Sequence, residues 1–150
     1  MKRGKTPTIV TGTIGQDCHI VGIWIVTQAL KRVGFNVHYL GGVVSQEEFI
    51  EAAIETNADA ILISSSYGMA RIDCEGMREK CIESGLKDII LYAGGTLIPD
   101  PEEWPQTKEL FEKRLGFNRA FPPEIKPLQV IEALKEDLGK IHPSSECGTR

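Results

Sequence analysis

The amino-acid sequence predicts one α/β domain, in which a parallel β-sheet is covered by helices on both faces. Short apolar segments alternate along the chain with amphipathic ones, which is the pattern of repeated βα units. The segments 7–13, 58–64 and 87–93 are nearly continuous apolar runs, as expected of strands buried on both faces. For five strands, this pattern indicates a doubly wound, flavodoxin-like (Rossmann-like) sheet with the order 2-1-3-4-5.

The elements of the first half begin and end at recognisable signals. A strand at 7–13 is followed by a helix at 21–33, which Gly34 ends. After a strand at 35–40, Ser45 and a glutamate three residues later form a capping box that starts the second helix. The third strand follows at 58–64.

The second half continues the alternation. A helix at 72–84 would place Cys74 and Cys81, seven residues apart, on one buried face. The remaining elements are predicted as a strand at 87–93, a helix at 101–115 made uneven by Pro105, a strand at 119–121 and a helix at 127–138. We expect a domain at 1–139 and a polar tail at 140–150.

Composition excludes several classes of protein. With 150 residues, of which 41% are apolar, the chain is long enough to bury roughly 70% of its unfolded surface. A net charge of −4 lacks the positive footprint of a nucleic-acid binder. The apolar stretch 20–26 is too short to span a membrane, and we expect no signal peptide.

The cysteines suggest the cellular compartment. None of the four cysteines forms a C-x-x-C pair, which argues against a zinc site or a disulfide framework. We therefore expect reduced thiols and a cytoplasmic protein.

Ligands of this fold bind beyond the carboxyl ends of the strands, so the loops after the first, third and fourth strands are the place for a site. The first loop contains Asp17, His19 and Gly22 in the pattern D-x-H-x-x-G. The second contains the serines 64–66, and the third contains the paired glycines 94–95, which let a backbone approach a bulky ligand closely.

Asp17 and His19 are spaced for one chemical task. In an extended loop, residues two apart can point the same way, so the carboxylate can hold the Nδ1 proton and leave Nε2 free for a metal. Alone, this pair is a weak signal, since Asp17 could merely cap a helix and His19 could be a surface residue. We expect the segment 15–22 to contain polar groups that lack partners until a ligand arrives.

The known ligand motifs of related folds are missing. The G-x-G-x-x-G spacing of a dinucleotide site, the G-K-S/T of a P-loop and the G-x-S-x-G of a hydrolase elbow are all absent. The third strand is also not followed by the aspartate of a phospho-acceptor domain.

The three loops together resemble the cobalamin-binding domains of mutases and methyltransferases. Further segments are similar to the small, cobalamin-binding subunits of glutamate mutases (methylaspartate mutases), and the resemblance covers roughly residues 8–138. These segments are 15–19, 45–50, 52–56, 72–76, 78–81, 116–117 and 122–123.

The resemblance implies a role for each loop. His19 would be the lower axial ligand of cobalt in place of dimethylbenzimidazole, and Asp17 would hold it by a hydrogen bond. The flanking residues of that loop would be Gln16, Cys18 and Ile20. The displaced nucleotide tail would lie between Ser64, Ser65 and Ser66 on one side and the backbone of Gly94, Gly95, Thr96, Leu97 and Ile98 on the other. The family usually has serine at the position of Gln16 and leucine at that of Ser66.

The resemblance also implies the reaction. The chain would be the adenosylcobalamin-binding subunit of an isomerase that interconverts (S)-glutamate and (2S,3S)-3-methylaspartate by a radical mechanism. Near the three loops the sequence has no arginine cluster for a dicarboxylate. The resemblance implies a larger barrel subunit that would hold the substrate in a hetero-oligomer.

Two alternatives remain open. The first is a corrinoid carrier for methyl transfer or a cobalamin-binding sensor. We expect no helical cap of a methyl carrier, because the first strand begins near residue 8, and no output domain of a sensor. The second alternative is a flavodoxin-like domain that binds no corrinoid.

Overall fold

The computed structural model describes residues 6–97 and 100–141. The strands are β1 (Thr8–Thr13), β2 (Asn36–Tyr39), β3 (Ala60–Ser64), β4 (Ile90–Gly94) and β5 (Arg119–Ala120). The helices are α1 (Val21–Arg32), α2 (Gln46–Thr56), α3 (Ala70–Asp73), α4 (Met77–Glu83), α5 (Trp104–Glu109) and α6 (Pro127–Ile141). Within these residues no helix is both long and apolar enough to cross a membrane.

The five strands form one parallel sheet with the order β2-β1-β3-β4-β5, which confirms the predicted fold class. The register aligns the ends of the three central strands, because Thr13 pairs with Ser64 and Ser64 pairs with Gly94. The loops that follow β1, β3 and β4 therefore leave the sheet side by side.

Successive residues of the strands face two separate cores. Ile61 and Ile63 of β3 lie in the core that α2, α4 and Phe111 complete. Leu62, between them, lies in the core formed with α1 and α6. Each face of the sheet is thus covered by helices, which explains why the central strands are apolar without alternation.

The capping box at the start of α2 is present as predicted. Ser45 accepts a hydrogen bond from the backbone N–H of Glu48, and the Glu48 carboxylate accepts one from the backbone N–H of Ser45. The pair satisfies two N–H groups that the helix itself leaves without partners.

The single helix predicted at 72–84 is wrong, because the structure has α3 and α4 separated at Gly76. Gly76 has φ +82°, a left-handed conformation, and is the N-cap residue from which α4 starts after the end of α3 at Asp73. Cys74 is the C-cap residue that follows α3, while Cys81 lies in α4, and both are buried free thiols as predicted. Burial raises the pKa of Cys81 to about 11, so this thiol is inert.

The last two helices also differ in detail from the prediction. The segment predicted at 101–115 consists of a 3-10 turn (Pro101–Glu103), α5 and a π-helical turn (Leu110–Arg114). Helix α6 continues to Ile141, beyond the domain boundary that the sequence suggests after residue 139. That boundary stays a prediction, since residues 142–150 lie outside the described part of the chain.

Candidate functional site

Asp17 and His19 form the expected pair at the end of β1. His19 Nδ1 lies 2.5 Å from Asp17 Oδ1, and the backbone N–H of His19 donates to the same oxygen at 3.0 Å. The Asp17 side chain is fully buried, whereas that of His19 is 63% exposed. The carboxylate therefore orients the imidazole through its Nδ1 atom. No described residue makes a hydrogen bond to Nε2 of His19.

The second carboxylate oxygen of Asp17 is held by the neighbouring loop. Oδ2 accepts a hydrogen bond of 2.6 Å from the backbone N–H of Ser66, immediately after β3. The expectation of unsatisfied polar groups in this segment is therefore wrong for Asp17. A buried carboxylate needs such partners, and the chain supplies them without a ligand.

The backbone of Asp17 is fixed as firmly as its side chain. Its carbonyl accepts hydrogen bonds from Thr13 Oγ1 at 2.5 Å and from the backbone N–H of Val43 at 2.9 Å. Val43 has φ +57°, a conformation that costs a β-branched residue about 1–2 kcal/mol. The segment after β2 is thus strained at Val43, the residue whose backbone N–H bonds the carbonyl of Asp17.

A cavity of about 350 Å³ lies beside His19, between α1 and the carboxyl ends of the strands. Of the residues predicted from the loops, it is lined by His19, Ser64, Ser66, Gly94, Gly95 and Thr96. It is also lined by Val21, Gly22, Ile23 and Val26 from the start of α1, and by Phe121, Pro123 and Ile125 from beyond β5. The structure thus brings together the three loops that the sequence selected.

The walls formed by α1 and by the chain after β5 were not predicted from the sequence. Gly22 and Val26 are one helical turn apart, so the D-x-H-x-x-G pattern followed by an apolar helix is a signal for the first wall. The apolar residues after β5 are separated from the three loops by more than twenty positions and have no local signal.

Several predicted residues have side chains away from the cavity. Ser65 and Leu97 are buried, and Leu97 belongs to the core around α2 and α4. Gln16, Cys18 and Ile20 are exposed and do not line the cavity in the described structure. Ile98 lies outside the described residues.

Gly95 is required where the third loop meets the serine loop. Its φ of +95° is left-handed, and a Cβ placed there would lie 2.6 Å from the carbonyl oxygen of Ser65. Beside it, Ser66 Oγ accepts a hydrogen bond of 3.3 Å from the backbone N–H of Thr96. Ser66, where the resembled family usually has leucine, thus ties the two loops together.

Comparison with known proteins identifies the family and confirms the fold. The family model described as "B12 binding domain" matches residues 7–108, which include all three loops. Solved structures agree on the fold: a cobalamin-binding protein from Desulfitobacterium hafniense superposes with a TM-score of 0.71 at 21% identity, covering 89% of this chain and 60% of that chain. The monomethylamine corrinoid protein of Methanosarcina barkeri gives 0.70 at 17% identity, covering 88% and 58%.

The fold and the matched residues define a B12-binding domain. A glutamate mutase sigma subunit of Carboxydothermus hydrogenoformans is 50% identical over 135 residues, which are 90% of this chain and 98% of that protein. One from Escherichia coli O157:H7 is 45% identical over 138 residues, or 92% of each chain. The chain belongs to the family of glutamate mutase sigma subunits.

Proposed function

We propose that this chain binds adenosylcobalamin as the cofactor-binding subunit of a glutamate mutase, with His19 as the protein ligand of cobalt. The observation that supports this most is the Asp17–His19 pair. A fully buried carboxylate holds Nδ1, so the other ring nitrogen of a largely exposed imidazole is left to coordinate a metal.

The residues around the cavity fit the tail of such a cofactor. An apolar cavity of about 350 Å³ between α1 and the sheet suits the dimethylbenzimidazole base once His19 has displaced it from cobalt. Ser64 and Ser66 supply hydroxyl groups at the rim, and Gly22, Gly94 and Gly95 supply surfaces without side chains. These residue types match a ligand with a flat apolar base and a polar sugar-phosphate link.

The chemistry of the cofactor, when bound, is the homolytic release of a carbon radical from cobalt. The residues of this chain position the cobalt ligand, the imidazole of His19. Asp17 fixes the ring of His19, while the hydrogen bonds from Ser66 and Val43 fix Asp17. The expected consequence is a ligand nitrogen held in one place by buried, fully bonded groups.

The substrate and the partner complete the proposal. The relatives are named glutamate mutase sigma subunits. We infer that the holoenzyme interconverts (S)-glutamate and (2S,3S)-3-methylaspartate, the reaction that the resemblance implies. The term sigma subunit implies a second subunit, and we propose that it is a barrel that holds the amino-acid substrate. A cytoplasmic location, predicted from the cysteines, is part of the same proposal.

Electron paramagnetic resonance of bound cob(II)alamin tests the proposal directly. With His19 on cobalt, labelling the protein's histidines with heavy nitrogen should change the superhyperfine splitting from a triplet to a doublet. His19→Ala should abolish this effect, and His38→Ala is the matched control because His38 is an exposed histidine of β2. If labelling the histidines leaves the splitting unchanged, the ligand is dimethylbenzimidazole and the proposal is overturned. A corrinoid that carries methyl groups to an acceptor would indicate a methyl carrier instead.

A further inference from the structure

A tyrosine that does not line the cavity contacts the loop of Asp17 and His19. Tyr67 follows the serine segment directly, and its hydroxyl accepts a hydrogen bond of 3.1 Å from the backbone N–H of Gln16. The same hydroxyl donates its proton to Oδ2 of Asp73, the last residue of α3. Neither Tyr67 nor Asp73 lines the cavity assigned to the tail of the cofactor.

We propose that Tyr67 and Asp73 are positioning residues, which fix the backbone at Gln16 so that Asp17 and His19 keep the geometry needed for cobalt ligation. The inference rests on the proposed function. It adds a part of the ligand site that lies outside the D-x-H pair and outside the cavity.

The loop packs directly against this pair of side chains. Gly15 has φ +71°, and a Cβ at this position would overlap both the hydroxyl of Tyr67 and the carboxylate of Asp73. The pair therefore touches Gly15 and bonds Gln16, the two residues that precede Asp17. A shift at either residue would be passed on to the Asp17 carboxylate through the backbone.

Ser66 and Tyr67, consecutive residues of the loop after β3, thus hold the loop of Asp17 and His19 at two points. Ser66 donates its backbone N–H to the Asp17 carboxylate, and Tyr67 accepts the backbone N–H of Gln16. Backbone bonds hold Gly15 and the carbonyl of Asp17 on either side, and the bond from Gln16 to Tyr67 restrains the peptide between them. This additional restraint matters because a ligand must be held within about 0.5 Å of its productive position.

Asp73 is itself anchored from another helix. Gln46, the first residue of α2, donates its side-chain amide to the carbonyls of Asp73 at 2.7 Å and Glu75 at 2.8 Å. Burial and the hydrogen bond to Asp73 raise the pKa of Tyr67, so the phenol stays protonated and can keep donating to Asp73. A chain of hydrogen bonds therefore connects α2, through Asp73 of α3 and Tyr67, to the loop of Asp17 and His19.

Hydroxyl deletion tests the inference, with a tyrosine control from the same chain. In Tyr67→Phe we expect about 3- to 10-fold weaker binding of adenosylcobalamin, the effect of one lost hydrogen bond. We also expect a smaller fraction of bound cob(II)alamin with histidine superhyperfine splitting. Tyr39→Phe is the control, because the Tyr39 hydroxyl is buried without a hydrogen-bond partner in the described structure. This variant should match the wild type in both measurements.

Variants of Asp73 provide a second, independent readout. Asp73→Asn keeps an oxygen that can accept from Tyr67, whereas Asp73→Ala removes it. The asparagine variant should therefore retain more histidine-ligated cob(II)alamin than the alanine variant. This comparison decides the question if Tyr67→Phe does not fold. Thermal unfolding of each apoprotein separates positioning from general loss of stability.

The outcomes separate the inference from the function on which it rests. If the wild type shows histidine splitting and Tyr67→Phe lowers only thermal stability, with full affinity and full splitting, the positioning role is wrong and the proposed function stands. If the wild type shows no histidine splitting, the proposed function itself fails, and the inference fails with it.

Discussion

The buried carboxylate of Asp17 determines where the imidazole of His19 points. It accepts three hydrogen bonds, from the backbone and ring of His19 and from the backbone of Ser66. In Asp17→Asn, the amide places an NH₂ group against one of these donors. We expect about 10- to 100-fold weaker cofactor binding and a free energy of unfolding lower by about 1–3 kcal/mol.

Absorption titration with adenosylcobalamin and urea unfolding of the apoprotein measure the two effects. Asp88→Asn is the matched control, since Asp88 is exposed at the other end of the sheet. Wild-type affinity in Asp17→Asn would show that the carboxylate does not orient the ligand.

Gly95 combines a left-handed backbone with a close approach to Ser65. Gly85 has almost the same φ, +89° against +95°, but a Cβ at Gly85 would have no other atom within 4 Å. Gly85→Ala should therefore cost about 1 kcal/mol of unfolding free energy through backbone strain alone. Gly95→Ala should cost more, because its new methyl group meets a backbone carbonyl.

Only Gly95→Ala should also weaken cofactor binding, because only Gly95 lines the cavity. Urea unfolding and absorption titration of both variants check this. Equal effects of the two substitutions would contradict a close-approach role for Gly95.

At the scale of elements, an ion pair fixes α6 against the sheet on the cavity side. Asp137 of α6 accepts hydrogen bonds from Tyr92 Oη at 2.5 Å and from Arg119 at 2.9 and 3.0 Å. Burial opposes the charge of Asp137, but the hydrogen bonds from Arg119 and Tyr92 outweigh it and lower the pKa below 3.8. The folded state therefore favours the ionised carboxylate.

This shift predicts how stability depends on pH. Because the pKa of Asp137 is lower in the folded than in the unfolded state, its contribution is present above pH 3.8 and is lost as the pH falls through the lowered value. Asp137→Asn should be less stable than the wild type at neutral pH, and the difference should shrink in acid. Urea unfolding over a pH series measures this. Glu132→Gln, at an exposed position of α6, should show no such convergence.

Elements with local signals were predictable, and the split helix was not. The capping box joins Ser45 and Glu48, which are only three positions apart, so the sequence alone defines it. The spacing of Cys74 and Cys81 fits one helix equally well as two, because both arrangements bury two thiols under the sheet. Only the left-handed conformation of Gly76 separates them, and a glycine inside a helical pattern does not by itself reveal that conformation.

The same distinction applies to the site. The Asp17–His19 bond joins residues two apart and could be predicted from their spacing. The contacts of Asp17 with Ser66 and of Gln16 with Tyr67 join residues 49 and 51 positions apart. The sheet topology predicts that these loops meet, but which backbone N–H and which hydroxyl face each other depends on packing that no local pattern encodes.

At the scale of the whole molecule, the described residues around the cavity lack the charges that an amino-acid dicarboxylate needs. None of the described residues that line the cavity is a lysine or an arginine. A dicarboxylate such as glutamate needs cationic partners, with arginine suited to bidentate contacts. Radical chemistry must also be protected from water, and the face of the cofactor turned away from His19 would need a partner to cover it.

We therefore expect the isolated chain to bind adenosylcobalamin without converting glutamate to 3-methylaspartate. Turnover should appear when a large glutamate mutase subunit is added, because that subunit would supply the carboxylate partners and cover the exposed face of the cofactor. The assay measures 3-methylaspartate formed with each subunit alone and with both together; His38→Ala should retain the combined activity and His19→Ala should lose it. Turnover by this chain alone would contradict the prediction. Association with the large subunit without conversion of glutamate would keep the role in cofactor binding and assign a different substrate to the assembled enzyme.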